Sequence, residues 1–96
     1  MKPGYEVKVL KAAEIDAAEA AAWYESQSPG LGHRFLDAFE DVLRKLPTFW
    51  NSEIRYSTVR TRAFIRFPYS IHYRVNEEKQ IIAVEAVLHH KRKPRF

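Results

Sequence analysis

Cysteine is absent from this 96-residue sequence, so disulfides, thiolate metal sites and cysteine nucleophiles are all excluded. A chain that manages without such staples suits a reducing compartment, and a cytoplasmic location is the expectation. Glycine is scarce: only Gly4, Gly30 and Gly32 occur, none before a Lys-Ser or Lys-Thr pair, so the sequence holds no phosphate-cradling glycine loop. Long apolar runs are also missing. Nothing approaches the ~20 residues of a membrane span, and Met1-Lys2-Pro3-Gly4 leads into a strand-like stretch without an apolar signal region. No membrane role is expected. A metal-ligand set is lacking too, because His89 and His90 are adjacent, would point to opposite faces of a strand, and have no carboxylate-histidine helix pair to join. Nothing resembles a nucleophile elbow. Neither metal nor cofactor is expected.

What remains is the mixture of an ordinary globular chain, 46% hydrophobic and 29% charged, with thirteen aromatic residues to help fill a small core. Its length allows a single domain over residues 1–96. The net charge of +4 is unevenly spread. Residues 1–50 carry six Lys/Arg against eight Asp/Glu, whereas residues 51–96 carry ten against four. Seven of those ten cations are arginines, whose forked donors suit phosphate and carboxylate, so a polyanionic partner is implied, either nucleic acid or an acidic protein segment.

Tyr5 to Val9 alternates apolar and charged residues, the period of a half-buried strand. An alanine-rich helix is expected from Ala12 to about Ser26, with Ile15, Ala18, Ala22 and Trp23 as its inward face. Ser28-Pro29 reads as the cap and first residue of a second helix. There Phe35, Leu36, Phe39, Val42, Leu43 and Leu46 form one apolar face, and Pro47 is expected to end it. Residues 48–56 read as a loop, followed by a strand around 58–67. Tyr69, Ile71, Tyr73 and Val75 alternate with Ser70, His72 and Arg74 in the next strand, and Asn76-Glu77-Glu78-Lys79 forms a turn. Ile81 to Leu88 is a near-continuous apolar run, as in a strand buried on both faces. The expected fold is α+β in the order β-α-α-β-β-β, a helical hairpin packed on a twisted antiparallel sheet of about four strands. Phe39→Ala is the substitution expected to damage that packing.

The groups able to bind phosphate or move protons near neutral pH concentrate late in the chain: Arg60, Arg62, Arg66 and Arg74, with His72, His89 and His90. Period two puts Arg60, Arg62 and Arg66 on one strand face, opposite Val59, Ala63, Ile65 and Phe67. Tyr69 and Tyr73 read as core, and His72 as a surface histidine. His89 closes the last strand, either as an acid-base group or as a side chain hydrogen-bonded to backbone.

The segment Arg66-Phe67-Pro68-Tyr69-Ser70-Ile71-His72-Tyr73-Arg74-Val75, followed by Ala86-Val87-Leu88-His89-His90-Lys91-Arg92-Lys93-Pro94, resembles the RelE/ParE superfamily of type II toxins, including members called plasmid stabilisation proteins. The resemblance implies a toxin held inactive by a cognate antitoxin. It also implies one of two targets: the ribosome with its mRNA, cut by RelE-like members, or DNA gyrase, poisoned by ParE-like members. RelE-like ribonucleases carry an arginine where this chain has Ser70, and Phe96 lacks the hydroxyl of a tail tyrosine found in several of them. Gyrase poisoning is therefore the favoured reading, mRNA cleavage the alternative, and a non-toxic binding module the third. Arg60, Arg62, Arg66, Arg74, His90, Lys91 and Arg92 are the expected target-binding residues. Arg62, Arg74, His89 and Arg92 are those whose change to Ala should reduce toxicity with the fold intact. The oligomeric state is left open.

Overall fold

A computed structural model describes residues 4–91. Seven elements follow in order: β1 (Glu6–Val9), α1 (Lys11–Gln27), α2 (Leu31–Phe49), β2 (Ile54–Tyr56), β3 (Val59–Ala63), β4 (Tyr69–Asn76) and β5 (Ile81–His89). The strands form one sheet in the order β1-β5-β4-β3-β2. The expected architecture is thus present, with two differences. The stretch read as a loop contributes the short fifth strand β2, and the sheet is mixed because β1 runs parallel to β5, Glu6 opposite Ile81 and Val9 opposite Val84. Among the described residues no strand lies beside this edge of β5 beyond Val84, and Asp16 Oδ2 on α1 accepts the Val87 N–H at 3.0 Å.

The helices cover one face of the sheet. Phe35, Phe39, Val42 and Leu46 on α2 meet Ile71, Tyr73, Ile82, Val84 and Val87, with Phe64 between. That stripe was expected. The α1 face was not: Ala13, Ala17, Ala20 and Ala21 turn inward, whereas Ile15 and Trp23 are 46% and 58% exposed. Small side chains are what a close helix-helix approach requires. At the hairpin a Cβ on Gly32 would lie 2.5 Å from the Ala21 carbonyl oxygen. The two faces of β5 are both buried as read, Ile82 and Val84 toward the helices, Ala86 and Leu88 away from them.

The hairpin turn also departs from the sequence expectation. Ser28 ends α1 rather than starting α2, and Gly30, at φ 86°, is the residue before α2. The N-terminal donors of α2 are met from across the turn, since Glu25 accepts the N–H groups of Gly30 at 3.0 Å and Gly32 at 2.9 Å. Those two bonds hold the Glu25 carboxyl below the usual glutamate range. Pro47 does not end α2 but lies inside it, and the helix continues to Phe49 although the proline removes one backbone donor from its last turn.

A lowered carboxyl pKa adds stability that is complete above the unfolded value of about 4.3 and disappears as pH falls through the lower folded value. Glu25→Gln should therefore melt below the parent at neutral pH, with the gap closing as the solution is acidified past that window. A gap independent of pH between 3 and 7 would show that the carboxylate charge is not what the turn uses.

Candidate functional site

The face of the sheet turned away from the helices is floored by buried Val59, Ala86 and Leu88 and carries a cleft of about 490 Å³. Arg55 and Tyr56 from β2, Thr61 and Ala63 from β3, Ser70 and His72 from β4, His89 at the end of β5 and His90 just after it line the cleft. Register explains the convergence. Thr61 pairs with His72, Ala63 with Ser70, Ser70 with Leu88 and His72 with Ala86, and directly opposed residues in antiparallel strands share a face.

Two polar pairs organise the cleft. The Tyr56 hydroxyl and His72 Nδ1 are 2.7 Å apart, and the His72 tautomer decides which of them donates. His90 Nε2 lies 2.9 Å from Ser70 Oγ, while the His90 N–H donates to the Pro68 carbonyl at 2.9 Å, which fixes the imidazole beside the strand. Chemically the cleft offers a hydroxyl-supported imidazole, a second imidazole, a hydroxyl and a guanidinium within one concavity. These are groups that hold phosphate and exchange protons near neutral pH.

The arginines of the sequence reading do not share this face. Arg60 pairs with Tyr73 and Arg62 with Ile71, so both point to the helix side, where Arg60 lies over the Trp50 ring at 5.4 Å and Arg62 over Phe49 at 5.2 Å. Arg60 also donates to the Ser52 carbonyl, and the Tyr73 hydroxyl donates to the Trp50 carbonyl at 2.9 Å, so these groups tie down the segment after α2. Arg66 stands in the β3–β4 turn at φ 75°, off the strand that was expected to carry it. Arg74 is on the far face, bonded to Thr58 Oγ1 at 3.0 Å and Glu85 at 3.1 Å. The shared arginine platform expected from period two is thus replaced by three directions. Alternation fixes which residues lie together, but not which side the helices will cover.

His89, at the strand end, lines the cleft together with His90, although its register partner Tyr69 packs on the helix side. His89 stands across from Tyr69, edge-on to its ring at 5.2 Å, and its Nδ1 accepts the Lys91 N–H at 3.0 Å, the backbone-bonded role foreseen as one alternative. Lys91 is exposed, and Arg92 lies outside the described residues. Tyr56, Arg55 and Thr61 were missed. Tyr56 fell in a presumed loop, and no local signal links it to a histidine sixteen residues on. Among the described residues no group of three or more His, Asp or Glu side chains is placed to hold a metal ion.

This arrangement of helical hairpin and sheet is that of toxins crystallised with their antitoxins. The chain superposes on a structure of the chromosomal ParDE toxin–antitoxin system of P. aeruginosa with TM-score 0.77 at 18% identity, covering 88% of this chain and 95% of that one. For the RelBE2 toxin–antitoxin complex of Mycobacterium tuberculosis the TM-score is 0.61 at 16% identity, with 93% and 94% covered. For the intact RelBE complex of E. coli it is 0.50 at 15%, with 92% and 99% covered. No curated protein matches by sequence. The profile of the family described as ParE toxin of type II toxin-antitoxin system, parDE, matches residues 7–94, and the chain belongs to that family.

Proposed function

We propose that this toxin arrests growth by poisoning DNA gyrase, that it does so in the cytoplasm, and that a cognate antitoxin neutralises it. The observation that carries the reading is the engagement of the arginines. Arg60 and Arg62 lie against aromatic rings on the helix side and Arg74 is tied to Glu85, so none of the three clamps a phosphate beside the histidines. What the far face presents is a binding surface, on which Arg55 and His90 add to Arg74 as contacts for the target, with exposed Lys91 following directly after His90. Membership of the ParE family supports the same target. Among the described residues no helix is long and apolar enough to cross a membrane.

One observation favours mRNA cleavage as the second reading: Tyr56, His72, His90 and Arg55 line a single cleft. In that reaction an imidazole takes the proton of the ribose 2′-hydroxyl, which attacks the phosphorus. The guanidinium offsets the phosphorane charge, and the second imidazole protonates the departing 5′-oxygen. The two readings part in a paired assay of purified toxin, gyrase supercoiling in one reaction and translating ribosomes with mRNA in the other. The expected result is loss of supercoiling with intact mRNA. Cleaved mRNA with active gyrase would reverse the order, and Tyr56→Phe and His72→Gln should then slow cleavage by roughly 10²-fold or more. Induced expression that leaves cells dividing normally would remove both.

A further inference from the structure

Tyr73 is fully buried on the helix side of the sheet, and its hydroxyl ends among the residues that join α2 to β2. A phenol buried this deeply needs partners for its hydroxyl, and two are present. It donates to the Trp50 carbonyl at 2.9 Å, which leaves its oxygen to accept from the Ser52 hydroxyl, also at 2.9 Å. Arg60, the register partner of Tyr73 and so on the same face, donates to the Ser52 carbonyl at 2.6 Å and lies over the Trp50 ring. Tyr5 packs against the same indole, with ring centroids 4.8 Å apart. The chain at Trp50 and Ser52 is thus held by two carbonyls, a hydroxyl and a ring.

Two residues after Ser52, β2 begins. It is an edge strand of three residues, paired among the described residues with β3 alone, through Ile54 opposite Arg60 and Tyr56 opposite Val59, with an irregular register between. So short a pairing fixes a strand poorly by itself. Yet β2 brings Arg55 and Tyr56 to the cleft, where the Tyr56 hydroxyl stands 2.7 Å from His72 Nδ1. We infer that Tyr73 is a positioning residue for the cleft on the opposite face of the sheet. Through Trp50 and Ser52 its hydroxyl holds β2 in place, and β2 sets Tyr56 against His72 with Arg55 beside them. Arg60 supports the same latch, so a guanidinium expected to touch the target acts from behind the sheet. Its bearing on toxicity rests on the reading of the far face as target surface.

The test compares Tyr73→Phe, Ser52→Ala, Tyr56→Phe and Val42→Ala in the purified full chain. Tyr73→Phe keeps the ring and removes the latch. Ser52→Ala, at a half-buried position, answers the same question should the first variant fail to fold. Val42→Ala empties part of the core from α2 and touches no bond of the latch, so it controls for lost stability. Amide exchange at residues 54–56 should quicken by about tenfold or more in Tyr73→Phe and stay within about threefold of the parent's in Val42→Ala. By NMR, the His72 ring-nitrogen shifts in Tyr73→Phe should move toward those of Tyr56→Phe, which deletes the hydroxyl directly. Ser52→Ala should show both changes at smaller size. The toxin concentration that halves gyrase supercoiling should rise roughly fivefold in Tyr73→Phe, about 1 kcal/mol of lost binding. His72 shifts and β2 exchange at the parent's values in a folded latch variant overturn the inference, as do equal changes in Val42→Ala. Shifts that move while gyrase inhibition keeps the parent's potency support the latch and strike instead the reading of the far face as target surface.

Discussion

Phe35→Ala should lower the unfolding free energy by about 3–5 kcal/mol, the range for emptying a buried phenylalanine site, and leave much of the population unfolded at 37 °C. The ring is fully buried and sits at the centre of an aromatic cluster, 5.4 Å from Tyr24, 5.0 Å from Phe64, 5.2 Å from Phe67 and 5.0 Å from Tyr69. Those neighbours come from α1, the end of β3 and both sides of the β3–β4 turn, so one cavity loosens four parts of the chain at once. Phe39, the residue that sequence periodicity singled out, is 9% exposed and has its ring neighbour Phe64 at 6.1 Å. Its truncation should cost less than that of Phe35. Urea unfolding of Phe35→Ala, Phe39→Ala and Phe35→Leu settles the ranking, with the leucine variant in between. A midpoint for Phe35→Ala within error of the parent's would mean that the cluster does not bear on stability.

Gly32→Ala should lower stability by about 1–3 kcal/mol, although alanine is the better helix former, and so depress the melting temperature by at least several degrees. The added methyl would meet the Ala21 carbonyl oxygen at 2.5 Å and the Glu25 Cβ at 3.0 Å. The first of these is backbone, which cannot step aside without spreading the two helices, and spreading them pulls Glu25 from the donors it accepts at the start of α2. Gly30→Ala is the informative companion. Nothing lies within 4 Å of its would-be Cβ, so its cost is the left-handed backbone alone, about 1–2 kcal/mol. A double substitution should restore nothing, because the two penalties have different origins. If Gly32→Ala melts higher than the parent, the helices are not as close as the structure places them.

The second helix was legible because its apolar residues contrast with Asp37, Glu40, Asp41 and Arg44 around the same turns. On the first helix seven of the seventeen residues are alanines spread around the axis, so hydrophobicity could not choose a face and the larger Ile15 and Trp23 were wrongly drawn to the core. What chose instead was distance: only alanines fit where Gly32 brings the helices together. β4 was visible in its period-two pattern and β5 in its near-continuous apolar run, with the acidic turn between them, but three residues are too few for β2 to show a pattern. The same limit hid much of the candidate site. Ser70 and His72 do share the face of β4 away from the helices, but both are buried, so His72 is not the surface histidine it was read as, and Tyr56 joins them only through the β2–β3 and β3–β4 pairings. Arg60 and Arg62 share a face as read, but their stems reach Trp50 and Phe49, residues whose position depends on where α2 ends.

The parallel pairing of β1 with β5 has a consequence for how the molecule is made. Residues 6–9 find their partners only in residues 81–84, so the first strand synthesised waits for nearly the last. Until then the nascent chain can form its helical hairpin but has nothing to close the sheet along that edge, and such long-range closure is slow relative to helix formation. A chain cut short of β5 therefore loses both strands together, because among the described residues β1 has no other partner strand.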